Sequence, residues 1–123
     1  MASIETTLKD AMSIEGAIGV ALVDYTSGMT LGVAGGSAEF DLAIAAAGNT
    51  DVVRAKTRTM ELLNLGEGIE DILITLDTQY HLIRPLTARN GKGLFLYLAL
   101  NKSRANLGLA RHHLRRIEGA VEV

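Results

Sequence analysis

The longest stretch with a helical pattern runs from Glu39 to Leu65, and no proline interrupts it. At about 1.5 Å of rise per residue, this helix would be roughly 35–40 Å long. When each residue is turned by about 100°, one side is polar and carries Thr50, Asp51, Arg54, Thr57, Arg58 and Glu61. The opposite arc is apolar over roughly 180°, wider than the ~100° that packing on one layer requires. The pattern predicts a deeply buried helix, or one whose second flank meets another surface such as a second copy of the chain.

A short helix and a hairpin are predicted before this segment. Ser3 can cap a helix that ends at Gly16, and the run from Ala17 to Val23 predicts a strand covered on both faces. Turn residues then reverse the chain, so residues 17–34 form a hairpin. Its second strand, Met29 to Val33, contains no proline or lysine that would blunt a sheet edge. We expect this edge to pair with another chain.

Three strands and one helix are predicted after the long segment. Gly66-Glu67-Gly68 is expected to close the long helix. The strands are expected at 71–76, 80–86 and 94–100. A polar loop over Thr87–Gly93 separates the last two strands, and the final strand is apolar throughout, which places it at the centre of a sheet. The last helix is expected to be capped by Asn101 or Ser103.

The resulting order of elements is α-β-β-α-β-β-β-α. Antiparallel hairpins combined with helices predict an α+β sandwich instead of a doubly wound nucleotide-binding fold. The chain has 123 residues and no visible repeat or linker. We therefore expect residues 1–123 to form one domain.

Composition narrows the classes of function. The chain has no cysteine, which excludes disulfides and thiolate chemistry. It shows no signal-peptide pattern and no apolar run of ~18 residues, so we expect a cytoplasmic protein without membrane insertion. A net charge of −2 argues against a broad surface for nucleic acid.

The charge is unevenly distributed along the chain. Residues 1–71 carry a balance of −7, and residues 72–123 carry +5. Arg111, Arg115 and Arg116 are concentrated in the last predicted helix. They form either a solvated helix face or a surface for an anionic partner or lipid.

Candidate catalytic and metal-binding patterns are not supported by their spacing. The glycines at 28, 32, 35 and 36 match neither the Gly-x-Gly-x-x-Gly spacing nor the Walker spacing of phosphate-binding loops. His112 and His113 are adjacent and would point about 100° apart on a helix, with no carboxylate at the spacing of a ligand pair. Asp24 and Asp77 are expected in hairpin turns, where Asp bonds its own backbone. We predict no catalytic residue, no metal site and no cofactor.

Three blocks of sequence, taken together, resemble a known family. The first is Glu15 to Asp24 with Ser27-Gly28, an apolar strand flanked by glycines and followed by a turn. The second combines residues 71–76 with 80–86, and the third combines 94–100 with Asn106-Leu107-Gly108-Leu109-Ala110-Arg111. In this order and spacing, which spans residues 4–118, the chain resembles the Roadblock/LC7 family of small dimeric regulators.

The resemblance implies a particular architecture. A five-stranded antiparallel sheet in the order 2-1-5-4-3 would have helix 2 on one face and helices 1 and 3 on the other. It also implies a homodimer, joined by the second strands and by neighbouring long helices. The implied interface residues are Met29, Leu31, Val33, Ala45, Gly48, Val52 and Ala55. Gly48 costs about 1 kcal/mol relative to Ala within a helix, and we expect close helix contact there instead of a break.

The resemblance also implies a function. Roadblock-like proteins of bacteria and archaea are similar in role to non-enzymatic regulators of Ras-like small GTPases, which they contact through the helix 2 side. The matching candidates in this chain are Asp51, Arg54, Arg58 and Glu61. The alternative interpretation of these four residues is a solvated helix face. Two alternatives stay open: a dimeric scaffold of a larger complex, and a small-molecule sensor. A sensor would place polar residues in an apolar pocket, for which only Asn49 and Lys56 qualify.

Overall fold

The computed structural model describes residues 2–87 and 93–121. The described elements are α1 (Ile4–Met12), β1 (Ala17–Asp24), β2 (Met29–Gly35), α2 (Leu42–Leu62), β3 (Ile72–Thr75), β4 (Gln79–Pro85), β5 (Leu94–Asn101) and α3 (Leu107–Ala120). Their order is the predicted one. Most of the loop predicted over Thr87–Gly93 lies outside the described residues.

The strands form one antiparallel sheet in the order β2-β1-β5-β4-β3, which confirms the predicted topology. The central strand is β5, and every residue from Leu94 to Leu100 is buried. This burial explains why the strand is apolar at each position, because both of its faces are covered.

Helices cover both faces of the sheet, as predicted. On one face, α1 and α3 pack against alternate sheet residues through Leu8, Ala11, Ala110 and Leu114. On the other face, α2 contributes Leu42, Ala46 and Val53 to a second cluster. The core therefore has two layers, one on each side of β1, β5 and β4.

A glycine allows α1 to approach the sheet closely. A Cβ atom at Gly32 would lie 2.8 Å from Leu8 Cδ1 and 3.1 Å from Ile4 Cγ2. These separations are too short for a side chain, so Gly32 is required for this packing of α1 on β2.

The limits of α2 differ from the prediction. The helix is capped by Asp41, whose Oδ1 accepts hydrogen bonds from Ala43 N at 2.9 Å and Ile44 N at 3.4 Å. It ends at Leu62, and Asn64 takes a positive φ of 57°, so the prediction that Gly66-Glu67-Gly68 closes the helix is wrong. Asn tolerates the left-handed conformation and so ends the helix earlier. The helix is continuous through Gly48.

The buried face of α2 is narrower than predicted. Only Leu42, Ala46, Thr50 and Val53 are buried in this helix. The prediction that Thr50 lies on the polar side of the helix is wrong. Thr50 is 2% exposed, and its hydroxyl donates a hydrogen bond to Ala46 O at 2.7 Å. Ala45 and Val52 of the predicted apolar arc are partly buried against the core, and most of its other members are exposed.

The cap of α3 also differs from the prediction. Asn106 is the N-cap, and its Oδ1 accepts a hydrogen bond from Leu109 N at 3.1 Å. The prediction of Asn101 or Ser103 is wrong. Asn101 Oδ1 instead accepts from Ser103 N and Oγ in the preceding turn, at 3.0 and 2.7 Å.

The edge strand β2 contains a bulge that the sequence pattern did not predict. Leu22 pairs with Gly32 and Val23 pairs with Thr30, which leaves Leu31 without a partner in β1. A bulge bends an edge strand and works against regular pairing with another chain. The absence of proline and lysine from β2 is therefore not the whole description of this edge, whereas β3 at the opposite edge pairs with β4 in unbroken register. Pairing of β2 with another chain stays a prediction.

Among the described helices, none is both long and apolar enough to cross a membrane.

Candidate functional site

The outward surface of α2 has two flanks with different neighbours. On the hairpin flank, which faces the β1–β2 turn, Arg54 contacts the backbone of Tyr25 and Thr26. On the groove flank, which faces β4, Ala45 and Gly48 line a groove together with His81. The residues that the sequence assigns to one interface do not all lie on the same flank.

The predicted interface residues fall into two sets. Ala45 and Gly48 line the groove, and Val52 packs on the same core cluster as Ile72 and Ile74 of β3. Ala55 is exposed. The second set consists of Met29, Leu31 and Val33, which are exposed on β2. The two sets lie on different elements, and Val33 of the β2 set lines a cavity together with Leu42 and Ala43 at the start of α2. Their joint use in one interface stays a prediction.

The predicted partner-binding residues also differ among themselves. Asp51, Arg58 and Glu61 are exposed on α2. Arg54 is occupied within the chain, since its Nε donates to Tyr25 O at 2.8 Å and its terminal nitrogen donates to Thr26 O. The guanidinium thereby ties α2 to the hairpin turn, and it would have to break both bonds to reach into another protein.

The turn that Arg54 holds is formed by Asp24, as predicted. Asp24 Oδ1 accepts hydrogen bonds from Thr26 Oγ1 at 2.6 Å and Thr26 N at 2.8 Å. These bonds stabilise the carboxylate and lower the pKa of Asp24. The carboxylate of Asp24 therefore stabilises the hairpin turn.

The groove beside α2 encloses about 490 Å³. It is lined by Ala38, Glu39, Phe40, Asp41, Ile44, Ala45, Gly48, Asn49, His81 and Tyr97. Lys56, one of the two residues considered for a sensor pocket, is exposed and is not among them. The uncharged polar side chains of the groove are Asn49, His81 and Tyr97, and Glu39 and Asp41 line its edge at the start of α2. Of the first three, only Asn49 was considered for a sensor pocket.

His81 and Tyr97 form a hydrogen-bonded pair in this groove. His81 Nε2 lies 2.8 Å from Gln79 Oε1, which can only accept, so this nitrogen carries the proton. His81 Nδ1 then accepts from the Tyr97 hydroxyl at 3.1 Å. Burial lowers the pKa of His81 and raises the pKa of Tyr97 to about 12. The neutral imidazole and the protonated phenol are the favoured forms.

The sequence could not reveal this pair, because its members belong to different strands. The β4–β5 register pairs His81 with Ala99 and Ile83 with Tyr97, which makes His81 and Tyr97 diagonal neighbours. A histidine inside a largely apolar strand was the available signal. It does not identify a partner without the register.

The C-terminal end of α2 carries exposed leucines. Leu62 and Leu63 are 78% and 62% exposed, and Ile44 near the other end of the helix is 72% exposed. Leu65, just beyond the helix, is also exposed. Large apolar side chains that cluster on a surface mark an interaction site.

Two of the arginines that are concentrated in α3 are paired within the chain. Arg111 binds Asp71 through two bonds of 2.8 and 2.9 Å, and Asp71 raises the pKa of Arg111. Arg115 lies 2.8 Å from Glu70. These pairs favour the interpretation of this helix face as a solvated surface over an anion-binding one.

Within residues 2–87 and 93–121, no three metal-ligating side chains are grouped so that they could hold an ion.

The three helices and the five-stranded sheet in the order 2-1-5-4-3 have the Roadblock/LC7 fold, as the sequence resemblance implied. A Roadblock/LC7 domain from Streptomyces avermitilis superposes with a TM-score of 0.80 at 10% identity, covering 97% of this chain and 94% of that one. MglB from Myxococcus xanthus superposes with a TM-score of 0.73 at 20% identity, covering 92% of this chain and 77% of that one. MglC from the same organism superposes with a TM-score of 0.59 at 22% identity, covering 94% and 92%. No family model matches the sequence, and no curated protein matches it significantly.

Proposed function

We propose that this chain is a cytoplasmic, non-enzymatic homodimer that binds a Ras-like small GTPase and modulates its nucleotide cycle. The observation that carries the proposal is the similarity of fold to MglB, a bacterial small-GTPase regulator, over 92% of this chain. The exposed polar side of α2 and the apolar stripe beside it supply the two surfaces that such a dimer requires.

The apolar stripe supports an antiparallel pairing of two α2 helices. It follows intervals of three or four residues along Ala45, Gly48, Val52, Ala55, Thr59 and Leu63. In an antiparallel pair, Gly48 of one copy faces the partner subunit's Thr59. Val52 likewise faces the partner subunit's Ala55. The small residues in the middle allow the two backbones to approach, and larger residues close the ends.

The exposed side chains on this surface are sufficient for association. Burial of an exposed Leu or Ile contributes about 1.5–3 kcal/mol. A two-fold axis uses each contact twice, so Ile44, Leu62 and Leu63 represent six side chains in the dimer. Their combined contribution of about 9–18 kcal/mol is comparable to the roughly 4–15 kcal/mol that association costs.

We expect Gly48→Arg to produce a monomer. A Cβ atom at Gly48 meets no atom within 4 Å, and Arg favours helix more than Gly does, so the isolated chain should fold normally. Gly119→Arg is the matched control, because a Cβ atom there also meets no atom within 4 Å. Sedimentation velocity would measure the mass, and circular dichroism would verify folding.

The same measurement on Leu31→Arg tests the alternative interface. We expect this variant to stay dimeric, because the bulge at Leu31 disfavours strand pairing. A monomeric Leu31→Arg with a dimeric Gly48→Arg would instead place the axis at Met29, Leu31 and Val33, as the sequence pattern suggested.

The proposed GTPase contact centres on Glu61, with Arg54 holding the adjacent hairpin in place. Asp51 and Arg58, the other two predicted contact residues, lie beside the second α2 helix in the proposed pair. We expect one small GTPase of the host to bind in a nucleotide-dependent manner and to change its rate of turnover. Glu61→Lys should weaken this binding by about tenfold, the effect of roughly 1.4 kcal/mol. Glu5→Lys, on the exposed surface of α1, is the control.

Two outcomes would redirect the proposal. Equal binding and unchanged turnover across all small GTPases of the host would rule out the regulatory function. Nucleotide-dependent binding with unchanged turnover would leave a scaffold that recruits the GTPase to a larger assembly.

A further inference from the structure

Two features of α2 lie at opposite ends of the helix. The groove is formed around its N-terminal half by Ile44, Ala45 and Gly48. The exposed leucines 62 and 63 are at its C-terminal end. The groove is partly apolar, and the leucines are 78% and 62% exposed in the single chain.

An antiparallel pair of α2 helices brings these features together. In the proposed pair, a residue of one helix faces a residue of the other when their two residue numbers add to about 107, as for Gly48 and the partner subunit's Thr59. Leu63 of the partner subunit then lies beside Ala45, and the partner subunit's Leu62 lies beside Ile44. Both leucines arrive at the mouth of the groove, where Gly48 has no side chain to block them.

Charge is complementary in the same arrangement. Asp51 and Arg58 project from the same outward side of α2, about two turns apart. In the antiparallel pair, Asp51 approaches Arg58 of the partner subunit, and the two-fold axis repeats this contact. A second copy of the chain therefore fits the groove better than an unrelated apolar peptide, which would not supply these charges.

We propose that the groove seats Leu62 and Leu63 of the partner subunit, and that protonation of His81 on its polar side releases them. The inference rests on the homodimer proposed above and assigns that dimer a pH-dependent control.

The hydrogen bonds of His81 explain the effect of protonation. Neutral His81 donates to Gln79 through Nε2 and accepts from Tyr97 through Nδ1. When Nδ1 gains a proton it must donate, so the Tyr97 hydroxyl must turn and find another acceptor. Tyr97 is already fully buried in the single chain, and Asn49 is the neighbouring side chain that can take this bond. The cost of protonation beneath the leucines therefore comes from the imidazolium of His81, which is half-buried in the open groove and would lose its contact with water.

Groups on β5, β3 and α2 determine the charge balance at His81, and the Asn49 amide of α2 in the same groove carries no charge. From β5 it faces Tyr97, and from β3 it is paired with the apolar Ile74. Glu39 and Asp41 line the groove at the start of α2, and Asp41 is engaged in capping the helix. Glu39 is exposed, so it offsets little of the charge that the leucines would bury.

The sign of the pH dependence follows from burial. Burial already lowers the pKa of His81 in the single chain from its ordinary value of 6.5, and the leucines would bury it further. The dimer therefore binds fewer protons than two separate chains. The affinity of the two chains for each other is therefore retained at a pH above the ordinary histidine pKa. It is lost as the pH falls through the pKa that His81 has in the single chain.

Sedimentation velocity across pH tests the proposal. We expect the dimer Kd to rise by about tenfold or more between about pH 7.5 and about pH 5.0, since two histidines titrate per dimer. His81→Phe keeps an aromatic ring against Phe40 and Tyr97 but cannot gain a proton, so its Kd should be independent of pH. His112→Phe, at an exposed position of α3, should retain the wild-type response.

The leucine contact is tested separately at about pH 7.5. Leu63→Asp should weaken the dimer by more than about tenfold. Leu109→Asp changes a leucine of similar exposure on α3 and should leave the dimer intact.

The outcomes separate this inference from the proposal it rests on. A chain that is monomeric at every pH would overturn the dimer and the control together. A dimer whose Kd does not change with pH, or whose pH response persists in His81→Phe, would overturn only the control. A dimer that tolerates Leu63→Asp would overturn the proposal that the groove binds Leu63 of the partner subunit.

Discussion

At the scale of single residues, Arg84 and Glu118 form the most buried ion pair of the described chain. Arg84 Nε donates to Glu118 Oε1 at 3.1 Å, and both side chains are almost fully buried. Glu118 Oε2 accepts from Thr87 Oγ1 at 3.2 Å and from Thr87 N at 3.4 Å. The carboxylate therefore holds the end of α3 against the end of β4.

Replacement of Glu118 alone should be strongly destabilising. We expect Glu118→Leu to lower the free energy of unfolding by about 3–5 kcal/mol, because it leaves the charge of Arg84 buried and unpaired. The double variant Arg84→Met/Glu118→Leu should recover most of this loss, since it removes both charges. Denaturant unfolding would measure each variant.

The exposed pair Arg115–Glu70 supplies the control. Glu70→Leu should change the free energy of unfolding by less than about 1 kcal/mol, because water screens this pair. If Glu118→Leu were equally mild, the buried pair would not hold α3 in place.

At the scale of elements, the ends of helices were the least predictable feature. The existence of α2 and α3 followed from their periodicity, but Asn64 and Asn106 set their limits in preference to Gly66 and Asn101. Several residues near each end had suitable chemistry. The choice among them depends on where the sheet allows the chain to turn, which local sequence does not encode.

The cap of α3 can be tested directly. We expect Asn106→Ala to lower the free energy of unfolding by about 1 kcal/mol, because Leu109 N loses its acceptor. Ser103→Ala, at a position predicted as a cap, should cost only a few tenths of a kcal/mol. Thermal or denaturant unfolding of the two variants would compare them, and a larger effect at Ser103 would contradict the observed cap.

At the scale of the whole molecule, the predicted interface residues come from two elements. Met29, Leu31 and Val33 are exposed on the edge strand β2, and Ala45 and Gly48 of α2 line the groove beside β4. A helical wheel could separate polar from apolar positions. It could not show which flank each strand would occupy, because that depends on the path of the helix across the sheet.

The sequence by itself determined the order of elements, the central place of β5 and the presence of a long, overly apolar helix. These features depend on local periodicity and on burial of both faces of a strand, and both can be recognised from which positions are apolar. Tertiary structure alone decided that Arg54 holds the hairpin, that Arg84 meets Glu118 and that His81 bonds Tyr97. Such contacts join residues 16 to 34 positions apart, and only the register of the strands and the packing of the helices bring them together.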